Sequence, residues 1–374
     1  MSHDLVIHGG TLIDPASGIH ETRDVAIRHG RVAEVGADID RSGALDGFDA
    51  TGLIVVPGLV DLHVHVYWGG ADLSVEPGPH DLARGVTTMV DAGSSGANNF
   101  PAFRRYLMEP FPGTILAFLN IAVMGQADPD LGELHDIRYA KVDRAIEVAR
   151  ANPDRIVGLK VRVSEQLAGR NGVEAVRLAR EAGTAIGRPV MVHIGGSSAP
   201  IEDILELLGP GDIVTHSYTG WEPGIVDTTR RIIPAAREAR ARGVLFDVGH
   251  GRGSFAFGRA EDALADGFRP DTISTDLHRF NVPTPVVDLT TTMTKFLYLG
   301  LSLADVVAMT TVAPAAAIGY AGARGTLGVG APVDVTVLRQ EEGSFLLEDS
   351  YGATVTARQR LVSAATFVAG RRVA

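Results

Sequence analysis

Eight short apolar runs, separated by helical stretches and starting about every 30 residues, fill the chain between about residues 57 and 325: LVDLHVHV, TTMVDAG, TILAFLNIAV, IVGLKVRVS, VMVHIGG, DIVTHSYTG, LFDVGHG and TISTDLH. Strands buried on both faces read as such continuous runs, and a helix must cross between parallel neighbours. In AKVDRAIEVARANPD, Val142, Ala145, Ile146 and Ala149 fall at i, i+3, i+4 and i+7, which is one face of a helix. Eight such units predict an α/β fold, a closed (β/α)8 TIM-like barrel whose active face lies at the C-terminal strand ends.

The flanks have a different texture. DLVIHGGTLID, DVAIRHGRVAEVGADI and LIVVPG near the start, and TLGVGAPVDVTVL and LVSAATFVAG near the end, are short strand-like runs punctuated by glycine. Residues 1–56 and 326–374 are expected to form one composite β-sandwich, with residues 57–325 forming the barrel. A chain of 374 residues is long enough for both.

Composition narrows the chemistry. A formal charge of −11, with arginines scattered among acids, argues against a nucleic-acid partner. No run approaches the roughly 18 apolar residues of a membrane span, and MSHDLVIHGG is no secretory leader, so a cytoplasmic location is expected. With no cysteine, a transition-metal site must use His, Asp, Glu or a modified Lys.

Six such groups sit late in the predicted strands. His63 and His65, at i and i+2, share one face of the first. Lys160, His193, His216 and Asp276 each come late in a separate later strand. Lys160 is the odd member, because an ammonium beside divalent cations is disfavoured and its pKa driven down. A neutral amine can add carbon dioxide and become a carbamate, an anionic oxygen ligand. The alternative is a lysine paired to an acid inside the barrel.

These residues, with VVPGLVDLHVHV leading into the barrel and GVGAPVDVTVL leading out of it, resemble the amidohydrolase superfamily over nearly the whole chain. The resemblance implies two divalent metal ions, expected to be zinc. His63, His65 and Asp276 would bind one, His193 and His216 the other, and carboxylated Lys160 would bridge them. KVRVS, HIGG, THSYTG, DVGHG and STDLH look most like its deacetylase or dihydroorotase-like group. That implies a hydrolase cleaving an acetyl or other acyl amide or ester from a small carboxylate-bearing compound. A hydroxide bridging the metals would attack, and Asp276 would take its proton and pass it to the leaving group. A cyclic amidase of the dihydroorotase or hydantoinase kind is the nearest alternative. A deaminase and a non-catalytic homologue stand further off, and a homo-oligomer is compatible with the sequence.

Substrate contacts are expected one step nearer the mouth, two residues after each ligand: Tyr67, Arg162, Gly195, Tyr218 and His278. Arg162 suits bidentate binding of a carboxylate, unless a rim acid holds it. Tyr218 or His278 would serve an oxyanion or pack the rim. His250, before the Gly-rich loop in DVGHGRGSFAFG, is a further expected contact, and Ser94, Ser95 and Asn98 in DAGSSGANNF are weaker ones.

Overall fold

The computed structural model describes residues 3–78, 81, 84–128 and 130–374. Seven strands follow one another around a curled parallel sheet in chain order: Leu59–Val64, Val86–Gly96, Thr114–Asn120, Ile156–Arg162, Val190–His193, Ile213–Thr215 and Leu245–Phe246. Nearly every residue in them is buried, as runs covered on both faces must be. The helix Val142–Ala151 buries Ala145, Val148 and Ala149 and leaves Val142 and Ile146 half-buried, on the face read from its spacing.

The eighth run does not form a ladder. It closes the ring through single parallel bridges, Asp247 to Thr272 on one side and Val64 to Leu277 on the other. The His65 N–H donates to the Leu277 carbonyl at 2.9 Å, and the Asp276 N–H to that of His63 at 2.6 Å. Two features replace the expected strand. Asp276 has φ 50°, which breaks the extended geometry. Thr275 turns both its N–H and its hydroxyl onto the buried Asp61 carboxylate.

Both chain ends enter a second, six-stranded sheet, ordered Arg371–Arg372, Thr354–Val368, Asp334–Glu348, Ile54–Pro57, Thr11–Asp14, Ile19–Thr22. Val335 lies opposite Pro57 and Val337 opposite Val55. A four-stranded sheet, Arg31–Gly36, Asp24–Arg28, Leu5–His8 and Gly47–Asp49, packs against it through Ile7, Val25, Ile27, Leu12, Val335 and Phe367.

The strands Asp334–Glu348 and Thr354–Val368, 15 residues each, are much longer than their apolar runs. Their far ends form a hairpin whose tip rests on the barrel mouth. The Ser350 N–H donates to Phe255 O at 2.9 Å, the Tyr351 hydroxyl to Gly253 O at 2.6 Å, and the Phe257 N–H to Asp349 Oδ2 at 3.0 Å. Among the described residues, no helix is long and apolar enough to cross a membrane.

Candidate metal centre

The residues singled out as ligands converge at the C-terminal end of the barrel. His63, His65, Lys160, His193 and Asp276 line a cavity of about 710 Å³. His216 lies behind them, its ring 4.2 Å from that of His193 and 5.1 Å from that of His63. Asp276 Oδ1 approaches His65 Nε2 at 3.0 Å and His63 Nε2 at 3.4 Å. One ligand atom each from His63, His216 and Asp276 falls within 4.8 Å of the others. This tight trio crosses the division implied by the resemblance, in which His216 pairs with His193.

Hydrogen bonds fix which ring nitrogen faces the cluster. His216 Nδ1 lies 2.6 Å from the Gly249 carbonyl, which only accepts, so Nδ1 carries the proton and Nε2 a lone pair. That Nε2 is buried and has no hydrogen-bond partner among the described residues. For His63, Nδ1 meets Thr215 Oγ1 at 2.9 Å, while the Thr215 hydroxyl donates to Asp247 Oδ2 at 2.8 Å. Thr215 must therefore accept from His63 Nδ1–H, again leaving Nε2 as a lone pair. Asp247 is held in turn by Thr272 and Ser274 hydroxyls at 2.6 and 2.7 Å. His65 Nδ1 lies 2.8 Å from Ser94 Oγ, which gives Ser94 a supporting place behind a ligand rather than one facing substrate.

Burial, helped by neighbouring cations, holds these rings neutral. It lowers His65 to about 3 and His216 to about 4, and puts His63 and His193 well below the usual histidine range. The short Asp276 contacts are then not ion pairs. At His63, whose Nε2 is a lone pair, the contact sets lone pair against lone pair, an arrangement that a cation would relieve.

Lys160 forms the cavity floor and is fully buried. Its Nζ meets His63 Nε2 at 3.3 Å and Met191 Sδ at 3.4 Å, and among the described residues no carboxylate pairs with it. Burial lowers its pKa from 10.5 to about 7, so a large share is neutral amine near pH 7. Gly93, at φ +86°, makes room for it: a Cβ there would stand 2.6 Å from Lys160 Cγ. Two of the candidate ligands carry left-handed backbone, His216 at φ 71° and Asp276 at φ 50°. Such conformations cost about 1 kcal/mol or more each and cluster at functional sites.

The substrate contacts expected from the sequence separate into two groups. Arg162, Gly195 and His278 line the cavity. Arg162, however, sends Nε and Nη2 onto Glu133 Oε1 and Oε2 at 2.6 and 2.7 Å, so a rim acid already holds its bidentate fork. His278 is lowered to about 4 by burial, and its Nδ1 accepts from the Phe280 N–H at 3.2 Å, which leaves the proton on Nε2. Three residues lie elsewhere. Tyr218 is buried with its hydroxyl on Phe268 O at 3.0 Å, and Tyr67 bonds to Asn99 O at 3.1 Å. His250 stacks on Phe255 at 4.5 Å and meets Lys295 Nζ at 2.7 Å. The Ser95 Oγ is buried without a partner, and Asn98 is exposed beside Met124, so neither lines the cavity.

His135, Ser164, Trp221 and Arg252 line the cavity without having been expected there. Arg252 lies two residues beyond His250 in the Gly-rich loop DVGHGRGSFAFG and Ser164 closes the run IVGLKVRVS, whereas His135 and Trp221 carry no strand-end signal.

The lowered histidines give a pH prediction. In the unfolded chain they take up protons below about 6.5, whereas folded His65, His216 and His278 resist until about 3 to 4. Through these histidines the unfolded state binds more protons in that window, so they make stability fall as pH falls through it, by about 1.4 kcal/mol per pH unit for each group, against an opposing contribution from Asp61, which burial raises to about 7. Chelator-treated protein is expected to show a melting temperature that drops steeply between pH 7 and pH 5. A flat profile would contradict the buried, neutral assignment.

Residues 54–373 match the model of the amidohydrolase family. The chain is similar to a deacetylase from Agrobacterium fabrum, with 40% identity over 324 residues, 86% of this chain and 79% of that protein. A crystal structure of a dihydroorotase superposes with a TM-score of 0.91 at 34% identity, covering 99% of this chain and 97% of the other. A crystal structure of an adenine deaminase gives 0.93 at 32% identity, covering 99% of each.

Proposed function

Since the chain belongs to the amidohydrolase family, we propose that it is a metal-dependent hydrolase that removes an acetyl or similar acyl group, held as an amide or ester, from a small carboxylate-bearing compound. The observation that carries this reading is the buried, partnerless Nε2 of His216, gathered with His63 and Asp276 above a lysine that burial makes partly neutral. This donor set fits divalent cations: neutral imidazoles, one carboxylate and an amine able to become a carbamate. His63, His65 and Asp276 would hold one ion, His193 and His216 the other, with carboxylated Lys160 between them. Zinc suits nitrogen and oxygen donors of this kind. When bound, the ions supply Lewis acidity and lower the pKa of water to near 7.

The remaining steps belong to the chain's own residues. Asp276 takes the proton from the attacking water and later returns it to the departing nitrogen or oxygen. His278, with its proton on Nε2, is placed to donate to the developing oxyanion. Buried Leu73 and Ile194, with the exposed Trp221, supply the apolar part of the cavity wall. The name of the Agrobacterium fabrum relative favours an acetyl group. A ring amide would be opened by the same atoms, which keeps a cyclic amidase as the second reading, given the likeness to a dihydroorotase structure.

The test measures metal per chain and turnover on N-acetyl and O-acetyl acids, dihydroorotate, hydantoins and adenine, for wild type and Lys160→Ala. About two ions per chain and acetate release are expected. The variant should lose at least one ion and about 100-fold or more of the activity. Ring opening would move the chain to the cyclic amidases, and ammonia from adenine would overturn the acyl reading.

A further inference from the structure

We propose that Arg252, rather than Arg162, is the cation that receives the substrate's carboxylate, an inference that rests on the acyl-acid reading above. Among the described residues, two guanidinium groups line the cavity, Arg162 and Arg252, together with the amine of Lys160. Lys160 is sealed in the floor against His63. Arg162 is 9% exposed, and the two donors that would grip a carboxylate already grip Glu133, also 9% exposed. That pair is neutral as a unit and offers an incoming anion little attraction. Dislodging Arg162 would leave Glu133 buried and unpaired, a strongly unfavourable exchange.

Arg252 has the opposite situation. It is exposed at the mouth, and among the described residues it pairs with no carboxylate. Its neighbour across the same aromatic ring, Arg279, is already held by Asp72 at 2.6 Å. The Arg252 guanidinium carbon lies 5.9 Å from the Phe280 ring centroid, and its charge is felt at His278.

The backbone beneath Arg252 is fixed relative to the reacting groups. Gly251, at φ +57°, sits so close to Asp276 that a Cβ would stand 2.3 Å from Oδ2. Its carbonyl accepts from Ser350 Oγ at 2.9 Å, and that of Gly253 accepts from the Tyr351 hydroxyl at 2.6 Å. Arg252 is thus a guanidinium with no carboxylate partner among the described residues, on a pinned loop, and it follows directly on Gly251, which abuts the carboxylate assigned to proton transfer. A substrate with its acyl group at Asp276 would bring a nearby carboxylate within reach of that side chain. The whole chain carries −11, so a local cation at the mouth would favour the approach of an anionic substrate.

The experiment compares acetylated acids with their neutral carboxamides in wild type, Arg252→Gln and Arg252→Lys, and measures binding of the same acids by calorimetry. Arg252→Gln is expected to raise KM for the acids by about 10- to 100-fold, with kcat little changed and the carboxamides unaffected. Arg252→Lys should recover part of the loss, since it keeps the charge but not the fork. Equal losses for acids and carboxamides, or an undiminished preference for acids, would overturn the assignment. If the wild type hydrolyses no acetylated acid, the acyl reading fails, and the anchor is judged by binding alone. Acid affinity that falls in Arg252→Gln supports it; equal affinity, or none in either protein, rejects it.

Discussion

Asp276→Asn is expected to lower kcat by about 10²- to 10⁴-fold while reducing metal content far less. The substitution keeps the shape of the side chain and an oxygen able to face His63 and His65, but the amide cannot accept and return a proton. It adds no backbone strain, because asparagine tolerates the left-handed conformation at φ 50° about as well as aspartate. The main chain is held independently by Asn281, whose Nδ2 donates to the Asp276 carbonyl at 2.7 Å. Metal analysis beside steady-state turnover distinguishes the roles. Parallel losses of metal and rate would reduce Asp276 to a ligand, whereas a loaded, nearly inactive protein would establish it as the proton carrier.

Lys295→Ala is expected to cost about 3–5 kcal/mol of stability. The Lys295 ammonium is buried and donates to His250 Nε2 at 2.7 Å, Pro285 O at 2.7 Å and Glu348 O at 2.8 Å. These acceptors belong to the loop after the seventh strand, the segment after the eighth run and the hairpin end. Truncation strands all three and leaves a cavity, while Lys295→Met refills most of the volume and isolates the polar part. Denaturant unfolding of the two variants reads the difference, and a loss below about 1 kcal/mol would show that water replaces the ammonium without penalty. Burial lowers Lys295 to about 7, whereas an unfolded lysine keeps its proton to 10.5. The unfolded state therefore binds more protons between those values, so this residue makes wild-type stability rise with pH across that window. Lys295→Met should flatten that rise.

The barrel was legible because strands covered on both faces leave continuous apolar runs, and the cluster at its mouth because five of the eight runs carry a candidate His, Lys or Asp ligand late in their length. The eighth element was legible as a run but not as an irregular strand, since the φ of Asp276 and the Thr275 contacts to Asp61 arise only in the closed ring. The outer halves of the hairpin were hidden by exposed, polar stretches such as Arg339 to Gly343. Substrate contacts were read by counting two residues past each ligand, which holds only while the chain stays extended. After His216 at φ 71° it does not, and Tyr218 turns into the core against Phe296. The positive φ angles of Gly249 and Gly251 likewise accompany a loop that buries His250 and leaves Arg252 on the cavity wall. For Arg162 the counting held, but its partner Glu133 comes from 29 residues earlier, in a loop that announces nothing.

The sheet shared by both chain ends bears on how the molecule is made. On a ribosome, Ile54–Pro57 emerges long before Asp334–Glu348, its partner. At about 5–20 residues per second the wait is roughly 15 to 55 s. Throughout it, one edge of the early strands stands open to pairing with other nascent chains. The tip at 349–353 arrives later still, so its contacts with Gly253, Phe255 and Phe257 at the barrel mouth form only after all eight barrel runs have emerged. Until the hairpin arrives, the open strand edge and the uncovered mouth are exposed together, which makes this interval the one most open to mispairing.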